Sequence, residues 1–241
     1  MNSKTFNKNS FFIKKDKFIQ SLLGMSSYSI LTNSRKEIIT KLKRILSIRL
    51  TSFITIKSKY IISKFIKKKI KANFICKQIT FKKKYERNDE DINYCRLVKK
   101  KDFKYLKKIS LENSSNSHFV QDKKLPYNFR KNFRYNWLNN YFKKKRGDIL
   151  IVYEKRNIQG FLLLIIKKNT FIVDLIVTSK KNRKQGVARS LLNYVNNFYL
   201  KKKNSVIIAG TQSNNISAIR FYYKMNFKKV HEAYIYHIHK N

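Results

Sequence analysis

Residues 174–192 (DLIVTSKKNRKQGVARSLL) hold the clearest pattern for ligand chemistry, because an apolar strand-like stretch runs through a basic turn into a helix-like stretch. Gly186 lets the backbone approach a ligand closely, and Ala188 is the next smallest choice at a contact point. Exposed amides at a helix start attract phosphate through hydrogen bonds and the helix dipole. Formal positive charge is added by Arg183, Lys184 and Arg189. The segment therefore predicts a phosphate-binding turn.

Residues 215–227 (NISAIRFYYKMNF) form a second segment with chemistry-bearing side chains. Asn215 and Tyr222 lie on one face of a helix about two turns apart, so both can address the same bound molecule. The alternative is that Tyr222 is an ordinary aromatic on a buried helix face, since the chain holds 15 tyrosines.

The two segments together resemble the signature of the GNAT acetyltransferases. The family's R/Q-x-x-G-x-G/A pattern is matched by Arg183, Gly186 and Ala188. Its N-x-x-A-x-x-F/L-Y-x-x-x-G-F pattern is matched at Asn215, Ala218, Phe221, Tyr222 and Phe227. Asn226 stands where the family usually has Gly, and Asn tolerates the left-handed conformation that a helix C-cap requires.

The resemblance implies an acetyl-coenzyme A site. The turn amides would hold the pyrophosphate, the preceding strand would splay from its neighbour to bind the pantetheine arm, and the Val177 amide would stabilise the oxyanion. Tyr222 would protonate the departing thiolate. The implied cofactor-binding residues are Leu175, Ile176, Val177, Arg183, Lys184, Gln185, Gly186, Val187, Ala188, Arg189, Asn215, Ala218 and Tyr222.

An attacking amine must be neutral, so a group or a water chain has to remove its proton. The candidate proton acceptors are Asp174, Glu154, His118 and Asp122. Asp174 is interpreted equally well as a catalytic base or as a structural carboxylate on a strand. His118 is interpreted first as a polar loop residue.

A finer resemblance is to the sugar-nucleotide amine acetyltransferases of the same family, such as those that acetylate dTDP-linked 4-amino-4,6-dideoxyhexoses. It rests on SHFVQD at residues 117–122, on Tyr135 and Trp137 in the following aromatic helix, and on AGTQSNN at residues 209–215. The resemblance implies His118, Asp122 and Trp137 as substrate-binding residues. The alternatives are a protein N-terminal or lysine acetyltransferase, and a basic nucleic-acid-binding protein on a GNAT scaffold.

The elements around these motifs follow an α+β pattern. Residues 149–153, 160–166 and 170–177 predict an antiparallel meander; residues 186–200 and 216–224 predict helices, and 205–209 and 233–239 strands. Upstream, the pattern predicts a strand at 94–98, a helix capped by Asp102 and an aromatic helix at 129–142. We therefore expect a GNAT domain at residues 92–241, with a mixed, centrally splayed sheet flanked by helices.

Residues 1–91 predict a separate small α/β domain, which the resemblance makes a degenerate copy of the catalytic one. Strands are expected at 53–56 and 74–81, a helix at 59–69, and a charged linker at 82–91.

The formal charge of +43 indicates either a polyanionic partner or biased codon usage, since Lys, Asn, Ile, Tyr and Phe recur throughout while Gly and Pro are scarce. Codon bias is the favoured explanation, and no specific nucleic-acid partner is expected.

Cys76, Cys95 and the C-terminal histidines lack metal-site spacing, so no metal is expected. Charged residues at 14–17 interrupt the apolar stretches near the N-terminus, and the longest aliphatic stretch, residues 161–166, is far shorter than the ~20 residues of a membrane helix, so we expect no transmembrane segment. The two cysteines form no disulfide framework, which favours a reducing cytoplasm. A homodimer is left open.

Overall fold

The computed structural model describes residues 11–32, 52–84, 93–112, 116–143, 147, 149–199 and 205–240. The chain forms two compact units. Unit 1 consists of Met1–Ile79, Gln212–Asn214 and Glu232–Asn241; unit 2 consists of Thr80–Thr211 and Asn215–His231. The end of the chain thus belongs to the first unit, whereas the domain boundary at residues 91 and 92 stays a prediction.

Unit 1 is built on strands whose pairing joins distant parts of the sequence. Its elements are β1 (Phe11–Lys15), α1 (Lys17–Leu23), β2 (Ser26–Thr32), β3 (Ser52–Ser58), α2 (Lys64–Lys69), part of β4 (Asn73–Lys84) and most of β10 (Lys228–Lys240). Within it, β3 pairs in parallel with β2 and antiparallel with β10. These three strands contribute Ile30, Ile54, Ile56, Tyr236 and Ile238 to one cluster of buried side chains.

The predicted strands of this unit are confirmed, but its helix is shorter than expected. The helix begins only after Ser63, whose hydroxyl accepts a hydrogen bond from the Ile66 amide as an N-cap. The terminal strand is longer than the predicted 233–239, since β10 begins at Lys228. The predicted linker at 82–91 overlaps the end of β4, and its remainder lies outside the described residues.

Unit 2 contains a sheet with helices on both faces. Its elements are β5 (Cys95–Leu97), α3 (Phe103–Glu112), α4 (His118–Gln121), α5 (Tyr127–Phe142), β6 (Ile149–Glu154), β7 (Ile158–Lys167), β8 (Thr170–Thr178), α6 (Val187–Tyr199), β9 (Val206–Gln212) and α7 (Ile216–Lys224). The strand order is β4-β9-β8-β7-β6-β5. The predicted meander, the two helices after it and the α+β class are therefore confirmed.

The two faces of this sheet carry different helices. On one face, α3 and α5 contribute Leu106, Ile109 and Leu138 to a core with Phe161 of β7. On the other face, Gly160 lies against Val187 and Leu191 of α6. Gly160 and Phe161 are neighbours in β7 and so point to opposite faces. No helix in the part of the chain that the structure describes is both long and apolar enough to span a bilayer.

Candidate active site

The strands β8 and β9 separate halfway along their length. They pair in parallel from Thr170 opposite Val206 to Val173 opposite Ala209. Beyond this point β8 continues to Thr178 and β9 to Gln212. Within these two described strands, the ladder therefore stops and leaves an opening between them at their carboxyl ends. The expected central splay is present.

A β-bulge coincides with the start of this opening. On β7, Leu163 lies opposite Leu175 while the next residue, Leu164, lies opposite Val173, so Asp174 is the extra residue of β8. A bulge bends its strand and increases the local twist. Asp174 therefore marks the position where β8 bends away from its regular path.

The register on β7 decides which backbone groups of β8 face the opening. The Ser179 amide donates to the Gln159 carbonyl at 2.8 Å, and every second pair of an antiparallel ladder is hydrogen-bonded. The next such pair is Phe161 with Val177, so the Val177 N–H points toward β7. The N–H and C=O of Ile176 point the other way, toward the side of β9. The family resemblance implies the Val177 amide as the oxyanion donor. The direction of the backbone groups instead favours the Ile176 amide.

The basic turn follows β8 directly and is open to solvent. Two of its residues adopt the left-handed conformation, Lys184 with φ of 63° and Gly186 with φ of 82°. Helix α6 begins at Val187, and the Ser190 amide donates to the Gly186 carbonyl. Exposed side chains at this turn belong to Arg183, Lys184, Gln185 and Arg189, and Gly186 is exposed as well. The first turn of α6 carries no acidic residue that would compete for its amides.

Internal hydrogen bonds shape the approach to this turn. The Ser179 hydroxyl donates to Oδ1 of Asn182 at 2.6 Å, and the Asn182 amide donates to Oε1 of Gln185 at 3.2 Å. Gln185 in turn donates to the Lys181 carbonyl. The side chain of Gln185 is thus used within the turn, and the residue as a whole is exposed.

Gly160 lets the start of α6 lie directly on the sheet. A Cβ atom at this position would lie 2.6 Å from Cγ1 of Val187 and 2.7 Å from the Val177 carbonyl oxygen. Both distances are far below van der Waals contact. The first residue of α6 can therefore reach β7 and β8 only because residue 160 has no side chain. No sequence motif pointed to this glycine.

Asn215 caps the amino end of α7. Its Oδ1 accepts hydrogen bonds from the Ala218 amide and the Ser217 hydroxyl, and its Nδ2 donates to Oγ1 of Thr211 at 3.0 Å. A capping side chain is turned toward the helix end rather than along the helix face. Asn215 and Ala218 thus stand at the end of β9, and the cap accounts for the asparagine without a ligand.

Tyr222 belongs to an aromatic cluster and is 3% exposed. Its ring centroid lies 5.3 Å from that of Phe81, 5.5 Å from that of Phe221 and 5.4 Å from that of Phe227. Burial raises the pKa of the Tyr222 phenol. The side chain is therefore held rigidly in its protonated form. This packing also fits the structural interpretation of Tyr222.

Helix α7 ends in a Schellman motif, which agrees with the prediction that Asn226 can adopt the left-handed conformation in place of the usual Gly. Asn226 has φ of 61°, its amide donates to the Tyr223 carbonyl, and the Phe227 amide donates to the Tyr222 carbonyl. The ring contact between Phe227 and Tyr222 supplies the apolar contact that usually accompanies this motif. The motif fixes Tyr222 one turn before the helix end.

Two side chains of α5 hold the Asp174 carboxylate. The Trp137 indole N–H and the Tyr141 hydroxyl each donate to Oδ2 of Asp174 at 2.8 Å. Hydrogen bonds to a carboxylate favour its charged form and lower its basicity. Tyr141 was not singled out in the sequence, although it lies one helical turn after Trp137 and so on the same face.

The other candidate proton acceptors have structural partners. Glu154 accepts a 2.7 Å hydrogen bond from Nε of Arg96, whose guanidinium also contacts Asp102. Asp122 is buried and accepts the Lys124 amide at the end of α4. The His118 ring contacts that of Phe119 with centroids 4.0 Å apart. None of these three contacts brings its residue to Asp174.

An aromatic chain connects the loop residues to Asp174 indirectly. Phe119 follows His118 and packs on Phe133, with ring centroids 4.8 Å apart. Phe133 in turn packs on Trp137, with centroids 5.4 Å apart. The structure therefore brings Trp137 to Asp174 directly and links the segment containing His118 to the same helix through packing.

A family model described as "Acetyltransferase (GNAT) domain" matches residues 145–229. This range contains β8, the basic turn, α6 and α7. A search of curated proteins finds no significant match.

Solved structures with the same fold cover most of the chain at low sequence identity. A functionally unknown conserved protein from Staphylococcus epidermidis has a TM-score of 0.63 and 13% identity over 100% of this chain and 94% of its own. A GCN5-related N-acetyltransferase from Sphaerobacter thermophilus has a TM-score of 0.55 and 11% identity, covering 95% and 76%. One from Kribbella flavida has a TM-score of 0.53 and 8% identity, covering 88% and 80%. The protein therefore has a GNAT fold, and residues 145–229 match the family model of the acetyltransferase (GNAT) domain.

Proposed function

We propose that the protein transfers the acetyl group of acetyl-coenzyme A to the primary amine of a nucleotide-linked amino-deoxysugar. The observation that carries acetyl transfer is the early end of the β8–β9 ladder at Val173, directly before an exposed basic turn. An extended thioester arm fits between two separated strands, because their unpaired backbone groups need hydrogen-bond partners. A diphosphate fits the turn, because free amides and positive charge meet there.

Each part of the cosubstrate has residues suited to it. The amides of residues 183–188 would bind the pyrophosphate, assisted by the charges of Arg183, Lys184 and Arg189. Leu175, Ile176 and Val177 would line the pantetheine arm from β8. Ile176 has its backbone groups directed into the opening, so its N–H is proposed as the donor to the thioester carbonyl oxygen.

The chemical step is direct transfer. The amine nitrogen attacks the thioester carbonyl carbon, and the carbonyl oxygen becomes an oxyanion next to the Ile176 amide. The carbon–sulfur bond then breaks, and the thiolate takes a proton from the Tyr222 hydroxyl. The excess proton on the amine nitrogen passes to solvent through a water chain, from which Tyr222 is reprotonated. A buried phenol with a raised pKa is available in the protonated form that this step requires.

The acceptor is proposed to lie on the α5 face of the sheet. Trp137 reaches Asp174 from this face, and the segment with His118 and Asp122 packs on the same helix through Phe119. Aromatic side chains beside a carboxylate suit a sugar, since they combine apolar ring faces with hydrogen-bonding groups. The nucleotide's phosphates suit the positive charge of the protein.

Incubation with radiolabelled acetyl-coenzyme A and an amine panel tests the proposal. The panel contains a dTDP-linked 4-amino-4,6-dideoxyhexose, glucosamine, an N-terminal peptide, a lysine peptide and spermidine. We expect kcat/KM for the nucleotide sugar to exceed that for each other amine at least tenfold. Preference for a peptide would replace the sugar with a protein acceptor, and absence of labelled product from every amine would overturn acetyl transfer.

A pair of variants at the turn locates the cosubstrate site independently of the acceptor. Gly186→Glu adds a negative side chain where the pyrophosphate would lie, so coenzyme A binding measured by calorimetry should be lost. Asn157→Glu adds the same single negative charge on the exposed β6–β7 turn, outside the proposed site, and should bind normally. Equal binding by both variants would place the cosubstrate elsewhere.

A further inference from the structure

The basic segment, residues 59–71 of unit 1, lies between β3 and β4 and contains α2. Six of its thirteen residues are lysines, and none of the residues from 38 to 85 is Asp or Glu. Five of these lysines are exposed: Lys59, Lys64, Lys68, Lys69 and Lys71. Because no acidic side chain stands near them in the sequence, the segment carries a concentrated positive charge.

Three large apolar side chains of the basic segment are exposed together with these lysines. Phe65 is 74% exposed and Ile61 56%, and Tyr60 is exposed as well. By contrast, Ile62 and Ile70 of the same segment are buried in the apolar cluster of unit 1. The exposed side chains are therefore additional to the core rather than part of it. Large apolar side chains gathered on a surface among polar residues are typical of an interaction site.

Hydrogen bonds hold the backbone from which these side chains project. The Ser58 hydroxyl donates to the Tyr60 carbonyl at 2.7 Å, and the Ile62 amide donates to the Tyr236 hydroxyl at 3.1 Å. Ser63 caps the start of α2. Little backbone order therefore has to be gained when the segment binds a partner, which lowers the cost of association.

Neither helix stability nor nucleic-acid binding accounts for the whole segment. Lys67, Lys68 and Lys69 occupy the last turn of α2, where positive charge stabilises the helix dipole, but this does not explain the exposed apolar side chains. A nucleic acid would attract the lysines, yet the segment has no Arg for bidentate phosphate contacts. An aliphatic side chain such as that of Ile61 gains no stacking on bases. Apolar side chains among lysines instead fit a surface that is apolar and anionic at once.

We infer that the basic segment binds reversibly to the surface of a bilayer that contains anionic phospholipids. Ile61 and Phe65 enter the boundary between headgroups and acyl chains, where the burial of apolar surface favours binding. The lysines lie against the lipid phosphates, since their stems can follow the apolar region while the ammonium groups stay at the headgroups. The inference concerns unit 1 and does not depend on the acetyl-transfer site.

Vesicle flotation with the full-length protein tests the inference. Vesicles of phosphatidylcholine alone are compared with vesicles of phosphatidylcholine that contain about 30% phosphatidylglycerol. Phe65→Ser and Ile61→Ser each remove an exposed apolar side chain without changing the charge, so the general attraction of a basic protein to anionic lipid stays the same. We expect Phe65→Ser to weaken binding to the anionic vesicles about fivefold, and Ile61→Ser to weaken it less.

Tyr127→Ser is the matched control for these substitutions. Tyr127 is 66% exposed in α5 of unit 2, and its ring also lies close to basic side chains, those of Arg130 and Lys131. Removal of this exposed aromatic side chain should leave vesicle binding unchanged.

Phe65→Trp reports insertion into the bilayer directly. The chain has one tryptophan, Trp137, whose emission in the wild type gives the background. We expect anionic vesicles with brominated acyl chains to quench the emission that Phe65→Trp adds, and not the emission that Tyr127→Trp adds.

The inference is overturned by equal binding of wild type and Phe65→Ser to the anionic vesicles, by an equal loss of binding in Tyr127→Ser, or by unquenched emission from Phe65→Trp. A larger loss of affinity in Phe65→Ser for a single-stranded RNA oligonucleotide than for the anionic vesicles would assign the segment to nucleic acid instead. If Phe65→Ser fails to fold, vesicle binding by Ile61→Ser and quenching in Phe65→Trp, which keeps an aromatic ring, still decide the outcome.

Discussion

The indole N–H of Trp137 donates a 2.8 Å hydrogen bond to Oδ2 of Asp174, the extra residue of the β8 bulge. The Tyr141 hydroxyl donates to the same oxygen. One carboxylate thus joins α5 to the point where β8 parts from β9. This arrangement links the proposed acceptor face to the proposed thioester site through a single side chain.

We expect Asp174 to position these groups rather than to act as the general base. Asp174→Asn retains an oxygen acceptor and should lower kcat/KM less than tenfold. Asp174→Leu removes the carboxylate that accepts from both donors of α5 and should destabilise the protein by about 1–3 kcal/mol. The measurements are urea unfolding and the pH dependence of kcat/KM.

A base role for Asp174 would give a different pattern. Asp174→Asn would then lose about 10²- to 10⁴-fold in kcat, together with the acidic limb of the pH profile, at unchanged stability. That pattern would contradict the positioning role.

Tyr222→Phe separates catalysis by the phenol from packing by its ring. The Phe ring preserves the contacts with Phe81 and Phe227, so the thermal midpoint and coenzyme A affinity should stay close to wild type. The thiolate would lose its proton donor, so we expect kcat to fall about 10²- to 10⁴-fold. Steady-state kinetics and calorimetry measure both quantities.

Tyr223→Phe is the matched control for this substitution. Tyr223 is 51% exposed and also packs on Phe81, with ring centroids 5.3 Å apart. Because Tyr223 has no proposed role in the reaction, removal of its hydroxyl should leave kcat unchanged. Equal kcat in Tyr222→Phe and wild type would remove the acid role and leave Tyr222 as a core aromatic.

The local features of the site were predictable because they depend on short stretches of sequence. The order of strand, basic turn and helix in residues 174–192 follows from adjacent residue types, and so does the left-handed conformation of Asn226. Asn215 at a helix start is also a local signal, since Asn is among the preferred N-caps. Its capping role was missed because the family resemblance directed the interpretation to the ligand.

Features that depend on pairing between distant segments could not be predicted in the same way. The bulge at Asp174 arises where the pairing of β8 with β7 shifts by one residue. This shift depends on both strands and cannot be predicted from the sequence of β8 alone. The long strand β10 pairs with β3, which lies far away in the sequence. Such features require the tertiary structure.

Gly160→Ala should disturb the start of α6 from a position outside the phosphate turn. The added methyl group would lie 2.6 Å from Cγ1 of Val187 and 2.7 Å from the Val177 carbonyl oxygen, so helix or strand must shift. Overpacking of this kind costs about 1–3 kcal/mol. We also expect weaker coenzyme A binding, because the turn amides move with the helix.

A double variant identifies the clash that causes this effect. Val187→Ala removes Cγ1, so Gly160→Ala combined with Val187→Ala should recover part of the lost stability in a double-mutant cycle. The carbonyl contact remains, so full recovery is not expected. Additive losses from the two substitutions would show that Val187 is not the obstructing group.

Lys57 offers a test of burial in unit 1 through pH. Burial lowers the pKa of Lys57 from 10.5 to about 8, so its charge is penalised in the folded state. Between about pH 8 and pH 10.5 the unfolded chain binds more protons at this site than the folded chain, so this contribution to stability rises with pH. Below about pH 8 the full penalty applies. Lys57→Met should therefore stabilise the protein by about 1–3 kcal/mol at pH 7.

The stabilisation by Lys57→Met should shrink as the pH rises from 8 toward 10.5, and it should be smallest above that range, where the wild-type amine is neutral in both states. Urea unfolding of wild type and variant at pH 7 and pH 10 measures the difference, in which the titration of the other lysines cancels. Lys59→Met removes an exposed lysine two residues away and is the control for the loss of a surface side chain. A Lys57→Met effect that is equal at both pH values would mean that the Lys57 ammonium reaches solvent and carries no burial penalty.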